Sequence, residues 1–252
     1  MANVACREKG DSDNYESSLT LKNNFFKERL YGRKKGHAFS RRQTQLMNEF
    51  LPKIQFSSSS FTNPNLAFGK KPEQLWLEIG FGNGEHSLER HKRNPEVGYI
   101  ACEVFENGIC SLLSNLVKEY AINALDFVPD MIRIWNKDAR VLLKHLPPQS
   151  IDKLFLLFPD PWPKARHVKR RFVHPKRLAL VHNLLKKSGQ WYIASDDPTY
   201  QEWVRETMDR QLFFRKILET QERPHDWPST RYEQKAYLNN REPIFWIFEK
   251  II

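Results

Sequence analysis

The chain has 252 residues, 40% of them hydrophobic, and carries 40 Lys and Arg against 30 Asp and Glu, a net charge of +10. That content excludes a disordered chain, and no apolar run approaches the ~20 residues that a membrane span needs. The excess of cations favours a polyanionic partner over a neutral metabolite alone.

Cys6, Cys102 and Cys110 form no C-x-x-C pair and no His-spaced ligand set. That points to a reducing compartment and away from a metal site. No apolar signal core opens the chain, so the expected location is the cytoplasm.

Residues 1–21 are polar and lack periodicity, which predicts a flexible tail. Residues 22–72 read as a basic arm, a short helix and a linker. Lys22, Lys27, Arg29, Arg33, Lys34, Lys35, Arg41 and Arg42 stand against Glu28 alone, with Phe25, Phe26, Tyr31 and Phe39 between them. Leu46, Met47, Phe50, Leu51 and Ile54 fit one face of a helix after Ser40, and residues 55–71 read as a loop.

From residue 73 strands alternate with helices. Apolar strands are predicted at 75–79, 99–104, 131–135, 151–158 and 190–194, with two last strands at 213–218 and 244–248. Helical stripes lie between them, for example Ile109, Leu112, Leu113, Leu116 and Val117. Leu178, Val181, Leu184 and Leu185 mark a helix expected to stop at Gly189. Alternation of this kind predicts an α/β domain over 73–252, with a mostly parallel sheet covered by helices on both faces.

The first strand runs into Glu78-Ile79-Gly80-Phe81-Gly82-Asn83-Gly84. A dinucleotide fingerprint is G-x-G-x-x-G, but here the third glycine comes one residue early. A turn less suited to a pyrophosphate, with an acid two residues ahead of it, suits a cationic, amine-bearing ligand. Glu103 ends the second strand, where a carboxylate can take both hydroxyls of a ribose. Asn136 and Asp138 end the third strand. Acid, glycine turn and acid together fit S-adenosylmethionine, with its ammonium, sulfonium and ribose.

The fourth strand runs into Phe158-Pro159-Asp160-Pro161-Trp162-Pro163-Lys164 and then Arg166, His167, Lys169, Arg170 and Arg171. The prolines forbid a continuing strand and stiffen a loop that bears a carboxylate, an indole and cations. Lys164, Arg166, Lys169, Arg170 and Arg171 form an acid-free run suited to phosphates. Trp162 is either a stacking surface for a splayed base or a core-packing indole, and Trp227 is a weaker candidate. In Ser195-Asp196-Asp197-Pro198 either aspartate can cap the next helix while the other binds substrate.

These motifs, with Thr230-Arg231-Tyr232-Glu233, resemble the bacterial tRNA (guanine-N7-)-methyltransferases over most of the chain. The proline–aspartate–tryptophan loop is the specific part, and the glycine turn is shared by most class I methyltransferases. The resemblance implies a seven-stranded Rossmann-like class I methyltransferase fold and methyl transfer to guanine 46 of the tRNA variable loop. It implies cofactor contacts at Glu78, Glu103, Asp138 and Asp160, to which the residues' own pattern adds Gly80, Gly82, Gly84 and Asn136. It implies substrate contacts at Lys164, Asp196, Thr230, Arg231, Tyr232 and Glu233. Because the methylated base becomes cationic, Asp160, Asp196 and Glu233 are the candidate catalytic acids, with Asp160 expected between cofactor and base and Asp196 and Glu233 on the base edge. The chain departs from the family's pattern at Cys102, where a glycine is usual, and at Phe105-Glu106-Asn107-Gly108. A class I methyltransferase acting on another RNA or on protein, a nucleotide-dependent oxidoreductase and a non-catalytic RNA-binding module are the alternatives. A monomer and a homodimer are both compatible with the sequence.

Overall fold

The apolar runs pair into a seven-stranded sheet with the order β3-β2-β1-β4-β5-β7-β6 in the computed structural model, which describes residues 30–120 and 128–251. The strands are β1 (Gln74–Ile79), β2 (Val97–Cys102), β3 (Ile132–Trp135), β4 (Ile151–Leu157), β5 (Leu185–Ser195), β6 (Phe214–Thr220) and β7 (Ile244–Lys250). The first five are parallel, and β7 lies antiparallel between β5 and β6. Strand order reverses where β1 meets β4, and that switch point opens a crevice at the carboxyl ends of the strands. The two most suggestive loops of the sequence, 80–84 and 158–164, leave these two neighbouring strands.

Side chains alternate between two apolar layers, which is why the central strands read as continuous apolar runs. Leu77, Ile100, Leu154 and Ile193 face one layer with the Pro175–Leu184 and Pro198–Asp209 helices. Trp76, Tyr99, Ile134 and Phe155 face the other, with Ile109, Leu112 and Leu116 of the Glu106–Glu119 helix.

Several expectations shift. The stretch 55–71 is more than a loop. The Phe56 amide donates to the Ile134 carbonyl at 2.8 Å, extending the edge of β3, and single 3-10 turns form at Ser58–Ser60 and Pro64–Ala67. Phe56 and Phe68 enter the core. One-turn helices carry no periodicity, so their apolar residues look isolated in the sequence.

The helix after Ser40 starts in a capping box with Gln43 and passes through a π-helical turn, Leu46–Phe50. Its Leu46, Phe50, Leu51 and Ile54 are buried in the same layer as the Glu106–Glu119 helix. The helix expected to stop at Gly189 ends at Leu184, because Leu185 already opens β5 and pairs with Ile151. β2 closes at Cys102, so Glu103 stands one residue beyond it. The predicted tail 1–21 and the cations Lys22, Lys27 and Arg29 lie outside the described residues. No helix among the described residues is long and apolar enough to cross a membrane.

Candidate active site

The turn after β1 is built on left-handed backbone, with φ of 75° at Gly80 and 60° at Gly82. A side chain there would be strained. A Cβ at Gly80 would meet no atom within 4 Å, so bare backbone faces open space. Glu103 is clamped to this turn. Its Oε2 accepts from the Gly82 amide at 2.9 Å, and its Oε1 accepts from the amides of Val104 at 2.6 Å and Phe105 at 3.0 Å. Burial raises the Glu103 pKa above its ordinary value against the pull of these three donors, and the charge of Glu78 adds to the rise. A carboxylate holding three donors still has lone-pair capacity for a hydroxyl.

Glu78 differs from its expected place. It is 2% exposed and lies beneath the turn, accepting from the Tyr99 hydroxyl at 2.7 Å and from Ser87, with His86 Nδ1 at 3.2 Å. Burial alone would raise its pKa; His86 and these hydrogen bonds outweigh that and hold it below its ordinary value. The residue braces the turn from inside and offers no open face to a ligand.

At the end of β3, Asn136 Oδ1 accepts from Gln55 Nε2 at 2.9 Å. Asp138 caps the Ala139–His145 helix through the Arg140 amide at 2.9 Å and pairs with the Arg140 guanidinium at 2.5 Å.

The loop after β4 turns at two non-glycine residues of positive φ, Phe158 at 51° and Trp162 at 45°. Such backbone persists only where surrounding contacts hold it. Arg171 supplies them. Its Nε donates to the Pro161 carbonyl at 3.0 Å, its Nη2 donates to the Trp162 carbonyl at 3.2 Å, and its guanidinium lies 5.1 Å from the Trp203 ring centroid. Only 3% exposed, Arg171 leaves the expected outward run of cations and pins the loop from below. Lys164, Arg166 and Lys169 remain exposed around the Ala165–Arg170 turn. Arg170 lies 4.7 Å over the half-buried Trp162 ring, and His167 meets the ring edge-on.

Asp160 is exposed, and its carboxylate has no hydrogen bond or ion pair among the described residues. The protein packed around it raises its pKa above the ordinary value through burial.

The aspartate pair after β5 divides as one of the two readings allows. Asp197 Oδ1 accepts from the Tyr200 amide at 3.0 Å and caps the helix, while Asp196 pairs with Arg241 at 3.1 Å. Glu233 departs from a base-contacting role. It is 3% exposed, closes a capping box with Thr230 and pairs with Arg223 at 2.9 Å. The T-x-x-E spacing is itself the signal for that box.

Capping fixes the start of the Arg231–Leu238 helix and so aims Tyr232, whose Cε2 would lie 2.8 Å from a Cβ on Gly82. The phenol therefore sits against the glycine turn. Burial and the charges of Glu103, Asp160 and Glu85 raise its pKa. Arg231 is exposed beside it. Trp227 is no stacking surface: it is 2% exposed and packs between Tyr192 and Phe245.

Asn107 and Arg241 carry weight that sequence reasoning does not assign. Asn107 Oδ1 accepts from the Gly36 amide at 2.7 Å and its Nδ2 donates to the His37 carbonyl at 2.9 Å. The Glu106 amide donates to Lys34 at 2.9 Å. The residues that depart from the family's pattern after β2 thus hold the basic segment 33–37 beside Glu103.

A family model described as a putative methyltransferase matches residues 72–245. A tRNA (guanine-N(7)-)-methyltransferase of Granulibacter bethesdensis is 50% identical over 219 residues, 87% of this chain and 93% of that protein. The protein of the same name from Paramagnetospirillum magneticum is 39% identical, over 88% of this chain and 92% of its own length. Among solved structures, the 16S rRNA methyltransferase KamB shares the fold at 14% identity, with a TM-score of 0.56 over 79% of this chain and 95% of that one. An antibiotic-related methyltransferase does so at 11% identity and a TM-score of 0.55, over 81% of this chain and 98% of that one.

Proposed function

The chain belongs to the tRNA (guanine-N7-)-methyltransferase family, and we propose that it methylates N7 of guanine 46 in the tRNA variable loop, in the cytoplasm. The observation that carries the reading is Asp160: a carboxylate of raised pKa without a hydrogen bond or ion pair among the described residues, on a braced loop, across the strand switch point from bare glycine backbone. Acids held uncomfortably in this way match a cationic ligand, which relieves them.

These residues fit S-adenosylmethionine, which when bound supplies an electrophilic methyl group on a positively charged sulfur. Glu103 would take the ribose hydroxyls, the backbone of Gly80 to Gly84 would lie along the ligand, and Asn136 and Asp138 would border its base. Glu78 contributes indirectly, by holding the turn.

Guanine N7 is an unprotonated acceptor, so no general base is needed. The protein's work is alignment and charge stabilisation. Asp160 stabilises the positive charge that grows on the methylated base. Asp196 accepts from the base's N1–H and amino group and selects guanine. Tyr232 walls the site at Gly82, and the Thr230–Glu233 box holds Tyr232 and Arg231 in place.

Lys164, Arg166 and Lys169, with Arg33, Lys34, Lys35, Arg41 and Arg42, hold backbone phosphates. Arg170 and Trp162 act as one stacked unit at the rim. The test is methyl transfer to tRNA transcripts with guanine or adenine at position 46, followed by mapping of N7-methylguanine. Incorporation that survives the change to adenine overturns the assignment of position 46. Absence of N7-methylguanine from every tRNA overturns the substrate class.

A further inference from the structure

A second cluster of chemistry lies at the opposite end of the sheet. A cavity of about 610 Å³ opens at the starts of β1 and β4, lined by Trp76, Arg90, Arg93, Lys153 and Asp226 among others. Methyl transfer uses the carboxyl ends of the same strands, so this cavity takes no part in it.

Arg90 is 4% exposed, and its Nη2 is buried without a hydrogen-bond partner. Its Nε donates to His86 at 3.3 Å. Among the described residues its Nη1 has only Asp226, also at 3.3 Å, a carboxylate with 63% of its side chain in solvent. Lys153 is the second cation. Its Nζ stands 4.5 Å from the Trp76 ring centroid and 5.5 Å from that of Tyr192, with no carboxylate in ion-pair range among the described residues. The Arg90 guanidinium lies 5.8 Å from the same Trp76 ring.

Two cations drawn to one indole, one of them with an unsatisfied buried donor, form an expensive arrangement unless something else is held there. Burial first, and then the charge of Arg90, push the Lys153 ammonium below its ordinary pKa. An anion beside both would offset the repulsion between the two cations. Asp226 is a poor substitute: it is mostly exposed and carried by a loop. Arg93 is already paired with Glu89 at 2.8 Å and adds charge at the rim.

We propose that Arg90 and Lys153 form a binding site for a phosphate group, separate from the methyl-transfer site. A phosphate fits the fork of a guanidinium and the point charge of an ammonium together. The group could come from an RNA backbone or from a free phosphate compound; both present the same oxygens to the two cations.

The test is equilibrium dialysis of the full chain against labelled inorganic phosphate, with chloride holding ionic strength constant. Saturable binding is expected, weakened about tenfold or more in Lys153→Gln, which removes one charge-assisted hydrogen bond. The Lys153 side chain makes no hydrogen bond among the described residues, and glutamine keeps the backbone pairing in β4, so this variant keeps the test open if Arg90→Gln fails to fold. Lys187→Ala, an exposed lysine outside both sites, serves as the control and should bind phosphate like the parent. Non-saturable binding, binding unchanged in Lys153→Gln, or binding lost instead in Lys187→Ala each overturns the proposal. Unmodified tRNA then identifies the source. Displacement of phosphate from the parent supports a backbone phosphate at the site, and phosphate retained beside bound tRNA supports a free compound.

Discussion

A Cβ on Gly108 would stand 2.1 Å from the carbonyl oxygen of Gly82, so the Glu106–Glu119 helix meets the glycine turn backbone to backbone. No rotamer relieves that clash, because both partners are main chain. Gly108→Ala must therefore push the helix and the turn apart. Overpacking of this kind costs about 1–3 kcal/mol in stability. The larger effect should fall on the site, since Glu103 and Gly82 are joined by a single 2.9 Å hydrogen bond across the same gap. Titration calorimetry with S-adenosylhomocysteine should show affinity reduced about tenfold or more. Parental affinity in a folded Gly108→Ala protein would mean that the turn does not hold the cofactor.

Asp160 supports a prediction about pH. Its folded pKa is raised by burial, so the native state holds its proton more tightly than the unfolded chain does. Stability then falls as pH rises from the ordinary carboxylate value through the raised one. Above that window the penalty is fully present; below the ordinary value it is absent. Asp160→Asn should raise Tm at pH 7, and the gain should close as the solution is acidified. The same variant should lower the single-turnover methylation rate and remove the acidic limb of its pH profile. A Tm gain that persists unchanged at low pH would mean that charge is not the cause.

The neighbours Asp196 and Asp197 should separate cleanly. Asp197 caps the Pro198–Asp209 helix, and loss of such a cap costs about 1 kcal/mol. Asp197→Ala should lower Tm and leave the rate of methyl transfer nearly intact. Asp196 holds only a partly exposed ion pair with Arg241, which contributes little to stability. Asp196→Ala should leave Tm close to the parent and slow single-turnover methylation about tenfold or more. Single-turnover kinetics and thermal melts on both variants check the pair, and an unchanged rate in Asp196→Ala removes that residue from the site.

How much of the fold and site is readable in the sequence depends on how local each signal is. β1 and β4 are legible because strands buried on both faces are continuous apolar runs, and glycines or prolines mark where they end. Their adjacency is not legible in the alternation itself, which predicts a parallel sheet but not its strand order; only the resemblance pairs Asp160 with the glycine turn, and the sheet puts β1 beside β4. Phe56 and Phe68 are not legible as core residues, since both lie in irregular backbone flanking one-turn helices, where no period exists. Within the run 164–171 every cation looks alike. Only Trp203, on a helix some 30 residues later, distinguishes Arg171 as the one turned inward. Arg90 and Lys153 share no motif at all; the register of Trp76 opposite Lys153 brings them together.

That difference between Arg171 and its neighbours is itself measurable. Arg171 donates to two carbonyls of the loop, and hydrogen bonds from a charged donor contribute about 1.5–3 kcal/mol each. Arg171→Met should therefore destabilise the fold by about 3 kcal/mol or more, and it should slow methylation because the Asp160 loop loses its brace. Lysine in its place should not restore the parent, because one ammonium cannot reproduce the planar fork. Arg166→Ala with Lys169→Ala should do the opposite. Both residues are exposed, so Tm should hardly move. Each phosphate left without its cation should flatten the slope of log tRNA affinity against log salt by about 0.7–0.9. Binding measured from low to moderate salt, beside urea melts of the same proteins, separates the two roles. A flattened slope in folded Arg171→Met, or an unchanged slope in the double variant, would show that the phosphate-binding cations lie on the other side of the loop.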